Sequence, residues 1–267
     1  MRTAPSPARI VLLFLVLSLA STARATPQQL LTDLHHMRLA ATSMVTNYYM
    51  FSGLDADAKF NRLIDGSMSR FNTAMKDALD IAANDQMADE ITALETDWLK
   101  LSQLLETNRQ DILTRGYPEI RLVDDMGRQG TQLVGEISED YKLLKGKSGI
   151  KPHAVVEKAR ELAVLMAEMT AQYAAEGTSN LGYLFVGTGE NENSLGMLAD
   201  DFQGKLAQLE QLVKDQGAII LVRNIASKWR FVEDRIRNNT ENSVPFLVVS
   251  YNDRILEHLE EIEASYR

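Results

Sequence analysis

An internal repeat is the feature of this sequence that most constrains its fold. The only two tryptophans, Trp98 and Trp229, lie 131 residues apart, and the apolar residues around each follow the same spacing of 3, 4, 3 and 4. The first set is Ile91, Leu94, Trp98, Leu101 and Leu105, and the second is Val222, Ile225, Trp229, Val232 and Ile236. Such spacing predicts an amphipathic helix. Any two amphipathic helices can be aligned on a period of 3.6, so one matched helix alone does not indicate duplication.

The segments before the two tryptophan helices match at the same offset. Ile64, Met68, Phe71, Met75 and Ala78 correspond to Leu195, Ala199, Phe202, Leu206 and Leu209. Further upstream, Phe51-x-Gly53 matches Phe185-x-Gly187 at an offset of 134. Because one register is kept across two helices with both tryptophans coincident, we predict that one helical unit occurs twice.

The two units are expected to contain four helices each. Apolar periodicity and glycine positions predict eight helices, at about 27–52, 56–83, 86–115, 118–146, 152–186, 193–215, 218–239 and 243–265. No stretch alternates with a period of two, so no β-sheet is expected. The prediction is an all-α protein of two tandem up-down four-helix bundles, residues 26–148 and 149–267. Separate bundles and bundles merged through continuous helices both remain open.

Residues 1–25 have the pattern of a secretory signal peptide. Arg2 and Arg9 precede an apolar run from Ile10 to Ala20, and Ala23-Arg24-Ala25 follows as a cleavage pattern. The apolar run is shorter than the roughly 20 residues that a membrane-spanning helix needs. An uncleaved anchor is the alternative. We therefore predict a periplasmic protein released by cleavage after Ala25.

Charge and composition narrow the classes of function. The formal net charge is −9, and removal of the signal peptide would leave 25 basic against 37 acidic residues, a net charge of −12. That balance argues against nucleic acid as a partner, since its recognition needs clustered Lys and Arg. The chain has no cysteine, which excludes disulfides, thiolate metal sites and a cysteine nucleophile. Without a recognisable catalytic motif, neither an enzyme nor a cofactor is expected.

The first helix and its successors resemble a family of bacterial sensory domains. Arg38-Leu-Ala-Ala-Thr-Ser-Met-Val-Thr-Asn-Tyr48 is followed by Phe51-Ser-Gly53, then by a helix with Phe71, Met75 and Leu79, and then by the Trp98 helix. This order resembles the PilJ-type sensory domain of type IV pilus chemotaxis transducers and is similar to NarX-type nitrate and nitrite sensor domains. In that family an Arg-rich stretch of the first helix lines a small-anion site between paired helices.

The resemblance is partial in the stretch that would hold the ligand. Arg38, Met44 and Tyr48 keep the family's spacing, but Ser43 stands where the second arginine would be, and Ala41-Thr42 replaces its Ser-Gln pair. In the second half the corresponding stretch is Arg160-Glu-Leu-Ala-Val-Leu165, with Leu165 at the second arginine's position.

The resemblance implies a sensory function. The ligand would be a small anion, either nitrate-like or a carboxylate, and the signal would pass to a membrane-bound transducer, kinase or cyclase. Family members continue into a membrane helix and a signalling module, whereas this sequence ends after Arg267, so a free-standing sensory unit is expected; a homodimer is also open. The alternative is a structural or assembly protein of the cell envelope that acts through protein contacts and binds no small ligand.

Arg38 is the main candidate for ligand binding on its own chemistry. It interrupts an apolar stripe that runs through Leu34, Ala41 and Val45. A buried charge needs a partner, and a guanidinium suits planar anions such as nitrate or carboxylate. Thr42, one turn on, offers a hydroxyl donor. The alternative is that Arg38 lies at the edge of the stripe or pairs with an acid from another helix.

Two further candidates are weaker. Arg160 lies beside the apolar stripe of its helix, where Glu157 and Glu161 are close enough for a surface ion pair, so it is a secondary candidate ligand. His35 and His36 suggest a metal site, but adjacent residues on a helix point about 100° apart and cannot share one ion. No metal site is expected, and the acidic segment Thr188–Asn193 is interpreted as a solvated turn.

Overall fold

The computed structural model describes residues 27–82, 87–178, 194–239 and 243–267, and these residues form eight helices and no strand. The helices are α1 (Pro27–Gly53), α2 (Ala58–Ala82), α3 (Ala88–Arg115), α4 (Ile120–Ser148), α5 (Ala154–Thr178), α6 (Leu195–Leu212), α7 (Gln216–Arg237) and α8 (Pro245–Ser265). The all-α prediction is confirmed for this part of the chain, and most helix ends lie within two or three residues of their predicted positions. The signal peptide, the Phe185–Gly187 match and the Thr188–Asn193 turn lie outside the described residues.

Helix ends follow local chemistry. Gly116 and Gly149 terminate α3 and α4 with φ of +82° and +65°, a left-handed conformation that glycine adopts without steric penalty. Asp215 begins α7 by accepting a hydrogen bond from the backbone N–H of Ala218 at 2.9 Å. Pro245 is the first residue of α8, where its missing N–H costs nothing.

Two hydrophobic cores lie side by side, one made mainly by α1–α4 and the other by α5–α8. We call these groups of helices the first half and the second half. In the first half Phe71 stacks on Trp98 with ring centroids 3.8 Å apart, and in the second half Phe202 packs on Trp229 at 4.4 Å. Both contacts are related by the offset of 131 residues found in the sequence, so the matched register corresponds to the same packing contact in each half.

The two halves meet mainly through α1 and α5, with α8 beside them. Gly53, the last residue of α1, lies against Thr178 at the end of α5, so closely that a Cβ at Gly53 would overlap the Thr178 side chain. Phe60 of α2 meets Phe246 of α8 edge to face, with centroids 6.3 Å apart. No helix in the described ranges is long and apolar enough to cross a membrane.

Candidate functional site between the halves

The two arginines predicted from the sequence come together at the boundary between the halves. The guanidinium carbons of Arg38 and Arg160 lie 4.4 and 5.9 Å from the centre of the Tyr141 ring. Both side chains are buried, with 9% of Arg38 and 2% of Arg160 exposed. Together with Thr32, His35 and Glu263 they form a group that we call the interface network.

Arg160 is fully engaged in this network. Its Nε donates to Oε1 of Glu263 at 2.8 Å, and Nη2 pairs with the same carboxylate. Nη2 also donates to the Thr32 hydroxyl at 2.8 Å and Nη1 to the Tyr141 hydroxyl at 3.2 Å. Burial lowers the pKa of Arg160, but Glu263 outweighs it, so the pKa is raised overall. The side chain therefore joins α1, α4, α5 and α8.

The predicted surface ion pair of Arg160 is wrong. Glu157 instead accepts from Lys145 at 2.6 Å and from the Tyr141 hydroxyl at 3.0 Å. Glu161 pairs with Lys158 at 2.6 Å. The physical reason is that α8 packs over this face of α5 and brings Glu263 to Arg160 from 103 residues away.

Arg38 has no carboxylate within ion-pair distance in the described part of the chain. Its Nη2 lies 3.3 Å from Nδ1 of His35, and its buried Nε has no hydrogen-bond partner. Burial lowers the pKa of Arg38 to about 10, so the side chain remains charged at neutral pH. Burial, followed by the charge of Arg38, lowers the pKa of His35 well below its usual value. His35 is therefore neutral and can accept from Arg38.

A residue difference between the halves accounts for the unpaired charge. Arg38 contacts Tyr141 and Arg160 contacts Glu263, and each pair is 103 residues apart. Tyr141 thus stands in the first half where Glu263 stands in the second. The ring supplies a cation–π contact but no negative charge. A search for arginines with matched partners at an equal offset could have found this difference in the sequence.

The other two predicted residues point to different surroundings. The Thr42 hydroxyl donates to the backbone carbonyl of Arg38 at 3.0 Å, a bond within its own helix. Ser43 lines a cavity between the halves, and of the four predicted residues it is the only one to do so. The structure therefore brings Arg38 and Arg160 together but separates them from Ser43.

The cavity that Ser43 lines has a volume of about 650 Å³ and is bounded by α1, α2, α5 and α8. We call it the interface cavity. Small side chains of α5 form part of its wall at Ala159, Ala163 and Ala167, one helical turn apart. Its carboxylates are Asp33, Asp77, Asp253, Glu257, Glu260 and Glu263. Sequence reasoning missed this site, because only the packing of α8 against α1 and α5 makes these residues neighbours.

Two buried side chains of the cavity wall have oxygens without a hydrogen-bond partner. Asp33 is 3% exposed; its Oδ1 accepts from Gln29 Nε2 at 2.9 Å, whereas Oδ2 has no partner. Asn252 is 5% exposed; its Nδ2 donates to Asp253 at 3.1 Å, whereas Oδ1 has no partner. Burial raises the pKa of Asp33 to about 6. Each half thus contributes one unsatisfied acceptor, which costs free energy unless a donor binds there.

Comparisons with known proteins leave the site to be interpreted on its own geometry. No protein-family model, curated protein or solved structure matches the chain. Within the described residues, no three His, Asp or Glu side chains are grouped closely enough to hold a metal ion.

Proposed function

We propose that the protein is a periplasmic ligand-binding protein of sensory type, in which a small molecule binds in the interface cavity. The observation that carries the proposal is the unsatisfied acceptor on each wall of this cavity, Asp33 on α1 and Asn252 on α8. A volume of about 650 Å³ suits a small molecule, since ligand pockets commonly enclose about 300–1,000 Å³.

A ligand in this position contacts both halves at once. The halves have largely separate cores, which fits the proposed tandem bundles of residues 26–148 and 149–267. A ligand that binds one relative placement of the bundles better than another shifts the population toward that placement. The changed surface would then be read by a membrane-bound transducer, kinase or cyclase.

A small anion at Arg38 is the second candidate ligand. The observation that favours it is the buried guanidinium with no carboxylate and an orphaned Nε. An anion bound there would take the role that Glu263 has for Arg160. This candidate predicts a different site, because Arg38 does not line the interface cavity.

The proposal is tested by a thermal-shift screen. The full sequence is expressed with export, and the protein purified from the periplasm is screened against nitrate, nitrite, acetate, glutamate, glucose, spermidine and butylamine. A compound at about 100 times its dissociation constant should add roughly 2.7 kcal/mol of stability. Binding in the cavity should be lost in Ala167→Phe, because Ala167 lines the cavity and belongs to neither core. Ala207→Phe on the exposed face of α6 is the matched control.

The outcomes separate the candidate functions. A stabilising compound whose effect disappears in Ala167→Phe and persists in Ala207→Phe supports binding in the interface cavity. An anion effect that persists in Ala167→Phe and is lost in Arg38→Ala moves the site to Arg38. If no compound stabilises the protein, ligand binding is contradicted, and the alternative of a structural envelope protein takes its place.

A further inference from the structure

The charge of the interface cavity is opposite to that of the ligand expected from the sequence. Six carboxylates line it, and Arg70 is the one lysine or arginine among its described lining residues. Glu263 is neutralised by Arg160, but the other acids are not matched by nearby bases. Burial lowers the pKa of both His35 and His36, so neither adds positive charge at neutral pH. An anion is repelled here, and a cation is attracted.

The polar groups of the cavity lie at two levels along the helices. Arg160 joins Thr32 to Glu263, so the neighbouring Asp33 lies at the level of Glu263 on α8. Asn252 precedes Glu263 by 11 residues, which corresponds to on the order of 16 Å at 1.5 Å per residue. Between the two levels the wall is apolar, with Ala163 of α5 and Leu256 of α8.

We infer that the ligand of the interface cavity is an extended aliphatic polyamine, with one ammonium group at Asp33 and a second amine donating to Asn252 Oδ1. The inference rests on the proposed function, since it names the class of ligand for the same cavity. An ammonium group carries donors and positive charge, and Asp33 Oδ2 lacks both a donor and a counter-ion. The methylene chain matches the apolar wall between the two levels.

Other cations fit less well. A bare metal ion requires several ligands around one point, and the described residues provide no such group. A monoamine satisfies Asp33 but leaves Asn252 Oδ1 without a donor at the other level. The exposed acids Asp77, Asp253, Glu257 and Glu260 attract a polycation toward the buried acceptors and raise its local concentration.

Isothermal titration calorimetry of the full exported protein with spermidine tests the inference. Titrations are run at 0.15 M salt, where weak interactions between exposed charges are screened. Butylamine is the single-amine probe and acetate the anionic probe. Asp33→Asn keeps the shape of the side chain and removes its charge, and Asp80→Asn removes an exposed charge of α2 that does not line the cavity. Asn252→Leu removes the second acceptor.

Spermidine is expected to bind at one site, with butylamine at least tenfold weaker. Asp33→Asn and Asn252→Leu should each weaken spermidine at least tenfold, or about 1.4 kcal/mol, while Asp80→Asn changes it less than twofold. Circular dichroism of each variant shows whether it is folded, and Asp33→Asn is expected to fold because it removes a buried charge.

Three results overturn the inference. Butylamine as strong as spermidine contradicts contact at two levels, and equal losses in Asp33→Asn and Asp80→Asn would indicate only general attraction to an acidic surface. Binding of acetate or another compound of the earlier panel without spermidine contradicts the polyamine but leaves the proposed function standing. If no compound binds, both proposals fall.

Discussion

Removal of Glu263 is expected to destabilise the protein more than removal of any exposed acid. The Glu263→Ala variant leaves Arg160 buried without a counter-ion, although Tyr141 and Thr32 still accept from it. Breaking a buried ion pair by deleting one partner costs about 3–5 kcal/mol. Because small proteins are stable by about 5–15 kcal/mol in total, this loss is a large fraction of the whole.

Urea unfolding followed by tryptophan fluorescence measures this loss in each half. Trp98 lies in the first core and Trp229 in the second, so Trp229→Phe and Trp98→Phe backgrounds each retain one reporter. Arg160 and Glu263 belong to the second half, while Thr32 and Tyr141 belong to the first. We therefore expect Glu263→Ala to lower the unfolding midpoint seen by both reporters.

Two variants check the reasoning behind that magnitude. Glu139→Ala breaks an exposed pair with Lys142 and should cost no more than about 1 kcal/mol. The double variant Arg160→Met with Glu263→Leu replaces the charges by apolar side chains and should recover much of the loss, since no unpaired charge stays buried. A loss below about 1 kcal/mol for Glu263→Ala, or a double variant no more stable than the single one, would refute the argument.

Three further predictions follow from single residues. Burial raises the pKa of Asp33 from 3.8 to about 6, so its ionised form disfavours the folded state; Asp33→Asn should stabilise the ligand-free protein at pH 8 by up to about 3 kcal/mol, with the gain vanishing as the pH falls through 6 toward 4. Urea midpoints across that range check this, and a gain independent of pH would contradict it. Gly53→Ala should cost about 1–3 kcal/mol because its Cβ meets Thr178, whereas Gly135→Ala, with open space around it, should stabilise α4 by up to about 1 kcal/mol; thermal melts that rank the two equally would exclude the close contact. Mass spectrometry of the exported protein should give a chain that begins at Thr26, and retention of Met1 would mean an uncleaved anchor.

The local sequence pattern was sufficient to predict the helices and part of their packing. Apolar periodicity reports which side of each helix is buried, and the capping and glycine positions mark where helices end, because both depend on residues within a few turns. The register of 131 residues between Trp98 and Trp229 predicted more than helices. It corresponds to the paired contacts of Phe71 with Trp98 and of Phe202 with Trp229.

What each buried polar side chain contacts was decided only by the tertiary structure. From its own helix Arg160 was expected to pair with Glu157 or Glu161 at the surface, yet it is buried against Glu263. Arg38 was recognised as a charge on an apolar stripe, but its unpaired state depends on Tyr141. Periodicity along one helix states that a face is covered, while the partner of a charge depends on which distant helix covers it. The interface cavity belongs to the same class, because its walls come from four helices that only the folded chain brings together.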